Sequence, residues 1–303
     1  MNSPFRYAGG KFYARRLILE HIPPNHSYYV EPFAGGASIF FAKPKVENNW
    51  LNDVDDELVN CLTIIRDKPE ELIKGLAGES ATKERHGYYK NEFQARNEIE
   101  KAIRWFYLNR TSYSGIMNMQ NCYWGYGDKY SMRPENWPRN INQSSRKLQD
   151  VKITSYDFEQ MIREVPNGAF LFIDPPYYNA DQNKFYTHAF KKEDHFRLCE
   201  ILKNNRIRVK FLLTYDDNPE IRELYAWSTG ILAKEWNYTI NRTDDQKNGT
   251  KEKGSRYKGK EVFIMNYECT TKNGVQLDLL DYARTSDLRT VCACSIATHG
   301  FEG

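Results

Sequence analysis

The chain lacks several features that would have narrowed its function at once. No apolar run approaches the roughly 20 residues that a membrane-spanning helix needs, so no membrane is expected. The N-terminal stretch Met1-Asn2-Ser3-Pro4-Phe5-Arg6 has no apolar segment of the kind a secretory signal carries, and the expectation is a cytoplasmic protein. Cysteine is sparse: Cys61, Cys122, Cys199, Cys269, Cys292 and Cys294 are six in 303 residues, and only the last two lie close together. A single Cys-x-Cys pair with no second pair at ligand spacing does not make a zinc site, so ordinary reduced thiols and no metal are expected. Neither a Gly-x-Gly-x-x-Gly fingerprint nor a P-loop occurs. No low-complexity tract argues for extended disorder. A net charge of +3 is too mild to name a partner by itself.

What is present points to a mixed α/β chain. With 303 residues, 40% of them hydrophobic, it can form one large domain with an inserted lobe. Strand-like runs at 27–31, 49–52, 151–154, 169–173 and 209–214 alternate with helical patterns such as 57–66, where Leu58, Leu62 and Ile65 recur at helical spacing. A helix carrying Phe196, Leu198, Ile201 and Leu202 precedes the fifth run, and runs at 236–240 and 261–267 could form a hairpin. Alternation of this kind implies a mostly parallel, doubly wound sheet. Residues 67–148 break the rhythm. An amphipathic helix around Ile99, Ala102, Ile103, Phe106 and Tyr107 leads into a polar, aromatic loop from Asn109 to Gly127. Aromatics mixed with Arg110, Lys129, Arg133 and Arg139 suit bases and phosphates, although most of the rings would serve the lobe's own core. Between Arg242 and Lys260 the chain is basic and punctuated by Gly249, Gly254 and Gly259. Such a loop can follow a polyanionic backbone or simply be a solvated surface.

Two short motifs carry chemistry. After the first strand, which ends in Glu31, Gly35-Gly36 precedes a helix start, the general form of a phosphate or carboxylate cradle. Asp53 closes the next strand 18 residues beyond Gly35, close to the spacing of about 20 at which an acid meets ribose hydroxyls. A tight turn and a helix-capping Asp would leave the same trace. The second motif is Asp174-Pro175-Pro176-Tyr177, directly after the apolar run Ala169–Ile173. The prolines remove two backbone donors, Asp174 adds an acceptor, and Tyr177 adds a flat face. Acceptors beside a stacking ring suit a planar base with an exocyclic amine. Such an amine is a poor nucleophile because its lone pair is delocalised into the ring. Two acceptors on its hydrogens draw the nitrogen toward tetrahedral geometry, and charge developing on it is stabilised without a strong base. His188 and His195, near this motif, are expected to be structural or phosphate-adjacent.

Taken together, Phe5-Arg6-Tyr7-Ala8-Gly9-Gly10-Lys11, then Glu31-Pro32-Phe33-Ala34-Gly35-Gly36, then Asp174-Pro175-Pro176-Tyr177 resemble the Dam-type (α-group, D12 class) DNA adenine-N6 methyltransferases, in that family's motif order. The resemblance covers roughly residues 3–267. It implies a Rossmann-like class I fold with a seven-stranded, mostly parallel sheet, S-adenosylmethionine as methyl donor, and an adenine flipped out of double-stranded DNA as acceptor. It implies a catalytic domain of residues 1–66 and 149–270, a helical target-recognition domain of residues 67–148, and a tail, 271–303, with no counterpart. Carried over by position, Tyr7, Lys11, Phe33, Ala34, Gly35, Gly36, Asp53, Asp157 and Phe158 would line the cofactor site together with Asp174. Asp174, Pro175, Pro176 and Tyr177 would be catalytic. Arg110, Tyr113, Asn118, Arg133, Arg139, Lys253, Arg256 and Lys258 would meet DNA, with Tyr113 in the place of an aromatic that enters the base stack. The segment Asn109–Gly115 resembles the family's recognition signature, but Asn118 stands where GATC-reading members commonly carry arginine. Arginine reads guanine and asparagine favours adenine, so a site other than GATC is expected, unless Arg133 or Arg139 supplies the guanine contact. A bacterial, phage or mobile-element monomer, paired in some settings with a restriction endonuclease, completes the expectation. The alternatives are a cytosine-N4 methyltransferase, which usually opens the tetrapeptide with Ser, a glutamine-N5 protein methyltransferase, which normally has Asn there, and an inactive DNA-binding protein on the same fold.

Overall fold

The computed structural model describes residues 1–7, 9–127, 131–179, 187–237 and 258–268. Seven strands form one sheet: β1 (Tyr28–Glu31), β2 (Asn48–Asn52), β3 (Val151–Thr154), β4 (Phe170–Ile173), β5 (Lys210–Asp216), β6 (Gly230–Asn237) and β7 (Lys258–Met265). Their order is β3-β2-β1-β4-β5-β7-β6. The first five are mutually parallel, with Val30 opposite both Trp50 and Leu171, and β7 runs antiparallel between β5 and β6. The parallel strands are apolar because both faces are covered. Val30, Leu171, Ile173, Phe211, Leu213, Val262 and Ile264 are buried in one continuous core with Phe158, Met161 and Ile162 of a helix above them.

The helices are α1 (Arg15–His21), α2 (Ser38–Ala42), α3 (Asp56–Asp67), α4 (Pro69–Gly75), α5 (Lys83–Asn91), α6 (Glu98–Thr111), α7 (Trp137–Leu148), α8 (Phe158–Glu164), α9 (Lys192–Asn205) and α10 (Pro219–Leu224). Helix starts follow side-chain caps that the sequence carries. Asp55 accepts from the Glu57 and Leu58 amides, Asn97 from Glu100, Asp157 from Glu159 and Asn218 from Ile221. Helices α4 to α7 lie between β2 and β3 in sequence, and α6 and α7 pack on α3.

Three expectations need correction. Asn109, Arg110 and Thr111 are not in a loop but form the last turn of α6. Their polarity suggests exposure, yet the helix end closes on itself: the Thr111 and Ser112 hydroxyls donate to the Tyr107 and Leu108 carbonyls, a local alternative to backbone partners. The strand expected at 236–240 begins at Gly230, since β6 pairs with β7 from Gly230 opposite Met265 onward. Residues 238–240 lie outside the described residues. Phe196, read as an apolar helix position, is exposed on α9, while Leu198, Ile201 and Leu202 are buried.

Candidate active site

Strand order reverses between β1 and β4: β2 and β3 lie on one side and β5 on the other. At such a switch point the loops leaving two neighbouring strands turn in opposite directions and open a crevice at their carboxyl ends. The crevice here is formed by Pro32–Ala37 after β1 and by Asp174–Tyr178 after β4. Two motifs about 140 residues apart in sequence become neighbours because their strands pair.

Asp174 is held from two sides. Lys11 Nζ lies 2.7 Å from its Oδ1, and the same oxygen accepts a 2.7 Å hydrogen bond from the Thr214 hydroxyl of β5. Lys11 is buried, 4.7 Å above the Tyr177 ring, and its ammonium also donates to the Gly9 carbonyl. The Tyr177 hydroxyl donates to Glu261 Oε2 on β7, which lies 4.0 Å from Lys11 Nζ. Burial, then the Glu261 carboxyl, raises Tyr177 well above the ordinary phenol range. Burial pushes the Glu261 carboxyl up to about 8, against the pull of Lys11. The loop is fastened behind the ring by Asp216, which accepts from the Tyr178 amide, the Asn179 side chain and the Asn218 side chain. His195 stands beneath it with Nδ1 2.6 Å from the Tyr215 hydroxyl. Burial lowers its pKa to about 4, so it is a neutral, structural histidine.

The glycine turn is shaped by contact with the N-terminal segment. Gly35 has φ +46°, and a Cβ on it would lie 2.7 Å from Cε1 of Tyr7; one on Gly36 would lie 3.0 Å from Tyr7 Cβ. Only glycine allows both this backbone and the close ring. Asp53 Oδ2 accepts the Gly35 amide at 2.8 Å and Oδ1 accepts the Asp55 amide. Burial raises Asp53 to about 6, with those two bonds pulling the other way. Asn52 ties three strand ends together: its amide donates to the Pro32 and Tyr156 carbonyls, and its oxygen accepts from Thr154 and the Tyr156 amide. Ala34 is buried, its amide bonded to the Asn52 carbonyl. Phe33 packs against Phe158 and Phe190. Asp157 is half exposed, caps α8 and pairs with Arg197 at 2.9 Å. The expected cofactor residues therefore lie around the β1, β2 and β3 ends and the crevice beside Asp174.

The N-terminal segment is in turn fastened to the helical insertion. Phe5 packs edge-on against Trp105, with ring centroids 4.6 Å apart. Asn109 accepts the Arg6 amide and donates to the Arg6 carbonyl, and Arg110 donates to the Pro4 carbonyl. A Cβ on Gly115, whose φ is +71°, would collide with the Arg6 carbonyl at 2.3 Å. Asn109, Arg110 and Gly115 of the expected recognition segment thus meet residues 4–6. Arg110 is 5% exposed, with burial lowering its pKa to about 10. Arg110, expected at the DNA surface, lies instead in the interior against the Pro4 carbonyl. Tyr113 differs: it is 47% exposed on a tight turn whose partner, Tyr123, is also exposed. The Tyr113 amide donates to the Tyr123 carbonyl, and Ser114, next to it, has φ +53°. Asn118 caps its own turn by accepting the Gln120 amide, and Arg133 and Arg139 are exposed near and on α7. Lys129, Lys253 and Arg256 lie outside the described residues, as do the Lys258 side chain and the tail 271–303.

Sequence reasoning missed Thr214, Asp216, Glu261 and Asn52. Only Glu261 left a trace, a lone acid directly before the apolar run Val262–Met265 in the same strand. Among the described residues no helix is long and apolar enough to cross a membrane, and no three His, Cys, Asp or Glu side chains group as a metal site.

A doubly wound sheet with one antiparallel strand, a glycine cradle after β1 and an acceptor-and-ring motif after β4 define a Rossmann-like methyltransferase. Residues 7–240 match the D12 class N6 adenine-specific DNA methyltransferase family, and the chain belongs to it. It is 28% identical over 286 residues to the Type II methyltransferase M1.LlaDCHI of Lactococcus lactis subsp. cremoris, covering 87% of this chain and 95% of that protein. It is 29% identical over 224 residues to the Type II methyltransferase M.CviBI of Paramecium bursaria Chlorella virus NC1A, covering 73% and 85%. It is 24% identical over 241 residues to the DNA adenine methylase of Haemophilus influenzae, covering 73% and 82%. The activity is site-specific methylation of adenine in DNA.

Proposed function

We propose that the crevice between the β1 and β4 ends binds S-adenosylmethionine and presents it to one adenine extruded from duplex DNA. The cradle fits the donor. Gly35 and Gly36 leave no room for side chains beneath Tyr7, and Asp53, with two backbone amides on its oxygens, keeps lone pairs for ribose hydroxyls. Tyr7, Phe33, Ala34, Asp157 and Phe158 would supply its remaining walls. When bound there, S-adenosylmethionine supplies an electrophilic methyl group on a sulfonium.

This chain's own residues do the rest. Asp174 Oδ1 is taken by Lys11 and Thr214, which leaves Oδ2 and the Pro175 carbonyl to accept the two hydrogens of the target amine. Acceptance by both orients the nitrogen lone pair and stabilises the positive charge that develops on it, with no base required. Tyr177 stacks on the target base, its ring steadied by Glu261. The base reaches this crevice only after leaving the duplex, which costs a few kcal/mol. Tyr113, exposed on a strained turn, would occupy the stack it vacates. Residues 67–148 serve as the recognition domain, and exposed Arg133 and Arg139 together with Asn118 make the base or phosphate contacts. Sites other than GATC follow from Asn118.

The observation that carries this reading is the grip on one Asp174 oxygen, which leaves the other for a substrate amine. Expression in a methylation-free bacterial host, followed by single-molecule sequencing, tests it. N6-methyladenine within one short motif is expected, and Asp174→Ala should abolish it while cofactor binding persists. Joint loss of methylation and cofactor binding in that variant would make Asp174 a structural residue and overturn its role.

A further inference from the structure

The buried carboxyl of Glu261 touches no substrate in the chemistry just described, yet it lies against two groups of the site. Glu261 lies in β7 opposite Asp216 of β5 and is 1% exposed. Its Oε2 accepts the Tyr177 hydroxyl and faces Lys11 Nζ at 4.0 Å, while Lys11 bridges on to Asp174 at 2.7 Å. Among the described residues its other oxygen is buried with no hydrogen-bond partner. Asp216, across the ladder, holds the next residue, Tyr178, through its amide. The β5–β7 pair therefore grips the catalytic loop twice in succession, once through Tyr178 backbone and once through the Tyr177 side chain. Burying an acid among Val262, Phe263 and Ile264 is unfavourable unless its partners repay desolvation, and an apolar residue of similar volume is often as stable or more so. An acid at this position is therefore not explained by stability.

We propose that Glu261 is a positioning residue for methyl transfer, acting through Tyr177, whose ring it holds over the target base beside the Lys11–Asp174 pair. This rests on the reading of Tyr177 and Asp174 given above. The hydroxyl anchor fixes the far end of a ring that also meets Lys11 and Tyr215. A misplacement of about 1 Å at a reacting pair can lower a rate by about 100-fold, so a tether of this kind has kinetic weight without touching the substrate.

The test is single-turnover transfer of tritiated methyl from S-adenosylmethionine to unmethylated bacterial genomic DNA, with the full chain and the variants Glu261→Leu, Glu261→Gln, Tyr177→Phe and Glu261→Leu/Tyr177→Phe. Glu261→Leu and Tyr177→Phe should each slow transfer by about 10- to 100-fold. The double variant should be no slower than the slower single one, because both remove the same link. Glu261→Gln, which keeps an acceptor, should recover most of the rate. Cofactor affinity should stay within about twofold throughout, and the melting temperature of Glu261→Leu should hold or rise. A melting temperature that falls in step with the rate would mark Glu261 as merely structural. Multiplicative losses in the double variant, or wild-type rates in Tyr177→Phe, would also overturn the proposal. If Glu261→Leu does not fold, the Glu261→Gln and Tyr177→Phe pair completes the comparison. A wild-type chain that methylates no adenine removes the reading underneath, whereas a methylating wild type with an unaffected Glu261→Leu removes this inference alone.

Discussion

Thr214→Val removes the hydroxyl that holds Asp174 and that also lies 3.4 Å from the Ile173 carbonyl. Thr214 is fully buried in β5, and its hydroxyl lies 2.7 Å from Asp174 Oδ1. Valine keeps the branched shape and suits a strand, so the change removes one oxygen and little else. A hydrogen bond to a charged group contributes about 1.5–3 kcal/mol. Asp174 would retain Lys11 at 2.7 Å, so its carboxylate loosens but is not released. Only the part of the lost bond that matters more in the transition state than in the ground state slows the reaction. Taking that part as about 1.4 kcal/mol gives a roughly tenfold slower methyl transfer. Single-turnover transfer to DNA reads the rate, titration calorimetry reads cofactor affinity, and thermal melting confirms folding. A folded variant within twofold of the wild-type rate would refute the view that Thr214 orients Asp174. So would a loss of cofactor affinity as large as the loss of rate.

Three further outcomes follow from the geometry. Gly35→Ala places a Cβ 2.7 Å from the Tyr7 ring at a backbone φ of +46°, which costs on the order of 1–2 kcal/mol in backbone strain alone; cofactor affinity measured by calorimetry should fall by about tenfold or more, and unchanged affinity would place the cradle elsewhere. Tyr113→Ala should weaken productive DNA engagement by about 1–3 kcal/mol, the range for a lost base–aromatic stack, with cofactor affinity unaltered; identical DNA kinetics would take Tyr113 out of the interface. The third concerns pH. Burial holds Glu31 and Glu261 at about 8 in the folded chain, so between the ordinary carboxyl range and that value the folded state keeps protons the unfolded state has released, and stability falls as pH rises. His195, lowered to about 4, acts in the opposite sense below 6.5. His21, His26 and His86, lowered by burial, oppose the acids near pH 6.5 and Lys43, lowered to about 8, opposes them near pH 8, so the net fall is steepest at about pH 7–7.5 and stays below the roughly 2.7 kcal/mol per pH unit that the two acids alone would give. A urea midpoint higher at pH 8 than at pH 6.5 would contradict this.

Much of the architecture is local information. Apolar runs ended by Asp174-Pro175-Pro176 or by Glu31-Pro32 announce strands that stop abruptly, because proline cannot continue a ladder. Gly35-Gly36 announces a tight turn, and the caps Asp55, Asn97 and Asp157 mark helix starts. These depend on conformational preferences of a few adjacent residues, so they are legible one segment at a time. Polarity misled at Asn109–Thr111, because a polar side chain with an interior partner is as buried as an apolar one. Their partners lie in residues 4–6 and in the preceding turn of α6.

The sequence by itself determined which groups exist: an acceptor and a ring in Asp174–Tyr177, a glycine cradle, an acid at Asp53 and a lysine at position 11. Only the tertiary structure decided which of them meet. Lys11 reaches Asp174 because Phe5, Asn109 and Arg110 fasten the N-terminal segment. Thr214 and Glu261 enter the site because β5 and β7 are neighbours in the sheet. Strand order is a long-range outcome of burying every apolar face at once, and no window of adjacent residues contains it.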